Sequence, residues 1–211
     1  MRSVPRPVAR PTGRARPVDD VAAPFAPVLE AARAGDRWAV ERLYRGALGA
    51  VTTYLGGHGV DDADGLANEV MHRALRRLDT FTGDEDAFRA WIFTIARNAM
   101  IDDRRRAGRR VRLELVDASH LKGPDAVDAE ALVLEQLGTD RVEQVLARLA
   151  PDQRDVLLLR ILGDLTIEQV ATAVGKRVGA VKALQRRGVA ALARLLASEP
   201  YLFGADQRWE K

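Results

Sequence analysis

Apolar residues recur along most of this chain at the spacing of α-helices. From Phe88 to Ala99, the residues Phe88, Trp91, Ile92, Ile95 and Ala99 share one face at about 100° per residue, the pattern of a core-facing helix. Phe93, Arg97 and Arg104 fall together on roughly the opposite face, beside Met100. Leu66, Val70, Ala74 and Leu78 form a second such stripe. Further on, Val170 and Val174 give a short helix its buried face, and Val181, Leu184, Gly188, Leu192 and Leu195 share one face of the next. The alternation of a half-buried strand is nearly absent. The pattern predicts an all-α chain, helical from near Ala26 to about Arg112 and again from near Asp128, with Pro151 suited to a first helical turn.

Proline and charge divide these helices into domains. Six of the nine prolines lie in the first 27 residues, among Arg2, Arg6, Arg10, Arg14 and Arg16, which reads as a disordered basic arm. From Glu114 to Asp140 there are seven acidic residues, Lys122 is the one lysine or arginine, and Gly123-Pro124 interrupts any helix. The expected layout is an arm over 1–25, a helical domain over 26–112, an acidic linker over 113–127, a second helical domain over 128–197 and a tail over 198–211. At 211 residues the chain suits one large or two small domains.

The absence of cysteine removes disulfides, cysteine zinc sites and thiol nucleophiles, and is compatible with a reducing cytoplasm. No apolar run approaches the ~20 residues of a membrane span, and the N-terminus lacks a signal-peptide core, so no membrane insertion is expected. Catalysis has little to stand on. His58, His72 and His120 do not sit at metal-ligand spacing, and no cofactor motif is present. Asp61, Asp62 and Asp64 are better explained as helix-start carboxylates favoured by the dipole. Ser3, Ser119 and Ser198 all fall in expected tail or linker regions, and the adjacent pair Ser119-His120 is not a triad.

The strongest motif read from residues alone is LTIEQVATAVGKRVGAVKALQRRGVAALARLL, Leu165–Leu196. Thr166 and Gln169 make a capping box. Ala171, Gly175 and Val181 occupy the small, turn and buried positions of a helix-turn-helix. No acidic residue occurs from Gln169 to Ser198, whereas Lys176, Arg177, Lys182, Arg186, Arg187 and Arg194 are all basic. Such a face suits a polyanion; a helical hairpin with a merely solvated basic face is the plainer alternative. Lys176 departs from the apolar residue often found after the turn. In the first domain, six of the nine residues Arg104–Arg112 are arginine. With an exposed Phe93 they would offer stacking and phosphate neutralisation to a nucleic-acid strand. A core helix with a solvated basic end fits that stretch equally well.

Three segments together carry a family resemblance. Phe88–Arg110, FRAWIFTIARNAMIDDRRRAGRR, resembles the segment of bacterial sigma factors of the extracytoplasmic-function type that melts and reads promoter DNA. Asp61–Phe81, DDADGLANEVMHRALRRLDTF, looks like their preceding helix, which docks on the RNA polymerase clamp, and Leu149–Leu196 looks like their C-terminal promoter-reading domain. The resemblance implies an N-terminal core-binding and promoter-melting helical bundle and a C-terminal helix-turn-helix bundle. The implied partners are core RNA polymerase, promoter DNA as duplex and as melted non-template strand, and an anti-sigma factor. The implied location is the bacterial cytoplasm at the nucleoid.

Roles then follow by position. Asp64, Leu66, Asn68, Glu69 and Val70 stand on the family's Asp-Leu-x-Gln-Glu-Val pattern, which leaves Asp64, Asn68, Glu69, His72, Arg73 and Arg76 for the polymerase. Gly65 replaces an acidic residue there and Asn68 a glutamine; Gly65 is expected to weaken the helix start by about 1 kcal/mol. The loop Phe81, Thr82, Gly83, Asp84, Glu85 and Asp86, with Asn98, matches the pocket that holds a base flipped from the minus-ten element. Flipping costs a few kcal/mol, which stacking and edge hydrogen bonds must return. Phe93, Arg97, Arg104 and Arg105 would hold the separated strand. Lys182, Ala183 and Arg186 match the minus-thirty-five reading face, with Gly179 at the start of that helix and Arg177 and Arg187 on phosphates. Ala183-Leu184-Gln185 stands where the family has Ser-Arg-Leu. The acidic linker would thread the polymerase cleft or act as a plain tether. A stand-alone helix-turn-helix regulator and an adaptor for acidic proteins are the other readings.

Overall fold

A computed structural model describes the backbone over residues 23–114 and 142–198, with side chains over 23–107 and 142–198. Most of the basic arm, the linker, the expected helix start near Asp128, the C-terminal tail beyond Ser198 and the side chains of Arg109, Arg110 and Arg112 lie outside the described residues. Every described element is helical: α1 (Phe25–Arg33), α2 (Arg37–Gly57), α3 (Ala63–Arg76), a 3₁₀ turn (Leu78–Thr80) and α4 (Glu85–Glu114). There follow α5 (residues 142–147), α6 (Pro151–Ile161), α7 (Ile167–Val174) and α8 (Val178–Ser198). The chain divides after Gly46 into two compact units.

In the first unit α1 ends at Ala34, and Gly35 turns the chain with φ +83°, a conformation that costs a side-chain-bearing residue more than glycine. Val28, Leu29, Ala32, Ala39 and Leu43 are buried. The Arg42 guanidinium donates to the Ala23 carbonyl at 2.7 Å and so ties α2 to the entry of α1.

In the second unit three helix starts, those of α3, α4 and α7, follow from their capping residues. Asp62 caps α3 by accepting the Gly65 N–H at 2.8 Å. A Cβ on Gly65 would stand 2.2 Å from the Asp62 carboxylate, so the glycine makes room for the cap and offsets part of its own low helix propensity. Asp84 caps α4 by accepting the Ala87 N–H at 2.9 Å. Thr166 and Gln169 form both bonds of the expected capping box on α7. Gly175 takes φ +66° at the α7 C-terminus, and the Lys176 N–H closes back onto the Ala171 carbonyl at 3.0 Å, the helix stop that the turn requires. Lys176 is accommodated because its ammonium reaches Asp152 on α6 at 3.0 Å.

Packing pairs α3 with α4, and α6 with α7 and α8; α4 also packs on α7. Leu66, Val70, Met71, Ala74, Ile92, Ala96 and Ala99 line the α3–α4 side, and Val156, Leu159, Leu165, Val170, Val181 and Leu184 the α6–α8 side; all are buried. Gly188 lets α8 lie against α6, where an added Cβ would meet Leu157 at 3.0 Å.

Candidate nucleic-acid interface

The helix-turn-helix presents the basic face that its sequence implied. On α8, Val181, Leu184 and Gly188 are buried, whereas Gly179, Lys182, Arg186 and Arg187 are exposed, with Arg177 exposed just ahead of the helix and Ala183 half-buried at the edge of the face. Among the described residues none of these four cations is paired with a carboxylate, so their charge is turned to solvent rather than spent inside the fold.

On α3 the apolar stripe is buried, and Asp64, Asn68, Glu69, His72 and Arg76 stand exposed on the other side, with Arg73 half-buried. Glu69 and Arg73 pair at 2.5 Å one helical turn apart. Asp64 near the N-terminus and Arg73 and Arg76 in the last turn complement the helix dipole.

The loop before α4 differs from the expectation in two residues. Phe81 is buried rather than open: its ring lies 5.3 Å from Phe88 edge-on and 5.2 Å from Trp91, an aromatic knot that fixes the loop's base. Asp84 is exposed, but its carboxylate is used as the α4 cap. Gly83 sits at φ +143° with Ala87 only 2.7 Å from where a Cβ would be, a tight corner that glycine suits. Thr82, Gly83, Glu85 and Asp86 form the exposed rim, and Asn98 is exposed one face round on α4.

Phe93 is the clearest correction. It was expected on an open, strand-holding face, yet it is 1% exposed and packs edge-on against Tyr54 with ring centroids 5.5 Å apart. Met100, on the same side, is also buried. The reason is that α4 is covered from two directions, by α3 and by the helix-turn-helix half, so it needs two apolar stripes rather than one. Gly163, the glycine between α6 and α7, completes the fit: a Cβ there would stand 3.3 Å from the Phe93 ring and 2.7 Å from the Leu159 carbonyl.

Arg97 is likewise not open. Its Nε donates to Asp155 Oδ2 on α6 at 2.7 Å, while the Tyr54 hydroxyl donates to Oδ1 at 2.8 Å. His58 Nε2 lies 3.5 Å from Oδ1, too far for a strong hydrogen bond, and is otherwise unpartnered. Burial pushes the Asp155 carboxyl up, but its hydrogen-bonding neighbours and the Arg97 charge outweigh that and hold it below the usual carboxylate range. Burial pushes His58 below the usual histidine value, against the pull of Asp155 and helped by the positive charges of Arg104 and Arg154. Burial, with Asp155 beside it, raises the Tyr54 hydroxyl well above its ordinary value. Arg104 is exposed but donates to the His58 carbonyl at 2.7 Å, and Arg105 is exposed with Asp102 at 3.8 Å. Sequence reasoning missed Asp155, Tyr54 and His58. A carboxylate directly before the run Val156–Leu159 was the available signal, but nothing linear joins it to residues 58 and 101 positions away.

No group of histidine, cysteine and carboxylate side chains among the described residues could hold a metal ion, and no described helix is long and apolar enough to cross a membrane. A helix-turn-helix with a cationic second helix, set among described elements that are all helical, is the arrangement found in DNA-binding transcription proteins. Residues 39–110 match the model of Sigma-70 region 2, and residues 139–192 that of Sigma-70 region 4. The chain is 37% identical over 177 residues to the ECF RNA polymerase sigma factor BldN of Streptomyces coelicolor; the match covers 82% of this chain and 66% of that protein. Against the ECF sigma factor EcfG of Rhodopseudomonas palustris the identity is 32%, covering 69% and 75%. In fold it is similar to CnrH, solved in complex with the cytosolic domain of CnrY, with a TM-score of 0.58 at 24% identity over 82% of this chain and 96% of that one. The chain belongs to the extracytoplasmic-function (ECF) family of RNA polymerase sigma factors.

Proposed function

We propose that this chain binds core RNA polymerase in the bacterial cytoplasm, recognises a minus-ten and a minus-thirty-five promoter element, and promotes melting of the first. It does no chemistry of its own; the catalytic site is the polymerase's. The observation that carries the reading is the presence, in family order, of the region 2 match over 39–110 and the region 4 match over 139–192, the latter with a helix whose exposed cations have no carboxylate partner among the described residues. In this reading Arg177, Lys182, Ala183, Arg186 and Arg187 meet the upstream duplex. Asn98 and the rim Thr82–Asp86 receive a flipped base on the floor made by Phe81, and Asp64, Asn68, Glu69, His72, Arg73 and Arg76 face the polymerase. CnrH and a Bartonella quintana RpoE were each solved with a partner protein, the latter named an anti-sigma factor, and we extend that kind of partner to this chain.

The test is run-off transcription with purified core polymerase on a promoter pool, followed by sequencing of the start sites. Defined starts that need both core enzyme and this chain support the proposal. No stimulation, together with nanomolar binding of the isolated chain to a duplex operator, would replace it with a stand-alone regulator.

A further inference from the structure

Lys176 differs from the other cations of the helix-turn-helix. Arg177, Lys182, Arg186 and Arg187 face solvent with no carboxylate partner among the described residues, whereas the Lys176 ammonium lies 3.0 Å from the Asp152 carboxylate on α6. Its backbone is fixed. Gly175 ahead of it holds φ +66°, and the Lys176 N–H closes onto the Ala171 carbonyl at 3.0 Å. The charged end is not fixed in the same way: the Lys176 and Asp152 side chains are 34% and 55% exposed, so their pair lies at the surface. Where an apolar residue would simply seal the turn, the lysine packs its methylenes and carries its charge to the edge.

That edge is open. A Cβ added to Gly175 or to Gly179 would meet no atom within 4 Å. Lys176 and Arg177 lead directly into α8, the helix that enters the major groove when a helix-turn-helix docks on duplex. Phosphates bordering the groove are the groups that meet residues at the start of such a helix.

Energetics decide which partner holds the lysine. An ion pair this exposed contributes little, because water screens it and two side chains must be held still. A duplex phosphate releases a condensed counterion when a cation neutralises it, a gain that Asp152 does not offer. Asp152, in the first turn of α6, is favoured there by the helix dipole and stays in place without the lysine.

We propose that Lys176 exchanges partners: Asp152 holds it in the free protein, and a backbone phosphate of duplex DNA takes it over when α8 enters the groove. The exchange rests on the DNA role proposed above for the identity of the polyanion. Asp152 then restrains affinity, since its carboxylate competes for the lysine and stands near the phosphate. A pair that merely braced the turn would act in the opposite sense, because loosening it would disturb the seating of α8.

Duplex binding by the full chain, alone and with core polymerase, is followed by fluorescence anisotropy between about 50 and 200 mM potassium chloride. Asp152→Asn should tighten binding by about two- to fivefold. Lys176→Met, which keeps an unbranched chain without the charge, should weaken it about tenfold at the lower salt. The same variant should make the log–log salt dependence shallower by ~0.9, whereas Lys176→Arg should keep the wild-type affinity and slope. Far-UV circular dichroism checks folding; if Lys176→Met does not fold, Asp152→Asn carries the test by its sign. Unchanged or weaker binding by Asp152→Asn, or a wild-type slope in folded Lys176→Met, overturns the exchange even if the wild type drives run-off transcription. The tighter and shallower responses, with no run-off transcription from the wild type, sink the sigma reading and leave Lys176 on its phosphate. No duplex binding by the wild type, with or without polymerase, overturns both.

Discussion

Phe93→Ala separates the two roles that the α4 face can play. If the ring holds a DNA strand, truncation costs binding and leaves stability alone. With the ring 1% exposed, edge-on to Tyr54 and against Gly163, truncation instead leaves a cavity between two helix layers. Phenylalanine-to-alanine changes in such sites cost about 3–5 kcal/mol, a large share of the roughly 5–15 kcal/mol that stabilises a typical protein. At about 2–4 °C per kcal/mol for a chain of this size, the melting temperature should fall by about 6–20 °C. Guanidinium titration followed by helical circular dichroism measures the same loss as a shift in midpoint. Arg105→Gln, at an exposed position, is the control and should move the midpoint by less than about 0.5 kcal/mol. A Phe93→Ala protein as stable as the wild type but defective in single-strand binding would refute the burial argument and restore the stacking role.

Acid should destabilise the protein from just below neutrality. The native His58 resists a proton that the unfolded chain takes up below about pH 6.5, so stability is flat above that value and declines beneath it, by at most about 1.4 kcal/mol per pH unit for one group. Asp155 adds its own loss only at lower pH, as its depressed carboxyl is titrated. His58→Gln should flatten the slope between pH 7 and 5 in thermal melts; an unchanged slope would assign it elsewhere. Thr166→Ala removes the half of the capping box that the hydroxyl accepts from the Gln169 N–H and should cost about 1 kcal/mol of stability, with Thr166→Ser restoring most of it, read from denaturation midpoints. Arg186→Ala should reduce preference for the upstream element by about 1–3 kcal/mol in competition run-off assays, and normal initiation at a promoter that needs that element would remove Arg186 from the groove. Asn98→Ala should impair permanganate-detected strand opening more than closed-complex formation; equal loss of both argues against a base pocket.

Local information was enough for much of this molecule. Helical spacing marked the buried stripes of α3 and α8, and Thr166, Gln169 and Gly175 announced the start and stop of α7, because caps and turns depend on residues within one helical turn of each other. The cationic face of α8 was equally plain, since residues on the outside of a helix need no partner to stay there. Where a helix touches two neighbours, the linear pattern misleads. Phe93 and Met100 read as the back of an amphipathic helix because a period of 3.6 assumes one buried side, and only the packing of α7 on α4 supplies the second. The fate of Arg97 and Phe81 was also hidden. An arginine is drawn to a carboxylate or a phosphate by the same charge, and which one is near depends on a contact 58 residues away. The chain's sequence thus determined its helices, its turn and its outward-facing cations. Tertiary structure decided which aromatic and which arginine remained available, because burial is a property of pairs of surfaces and not of either alone.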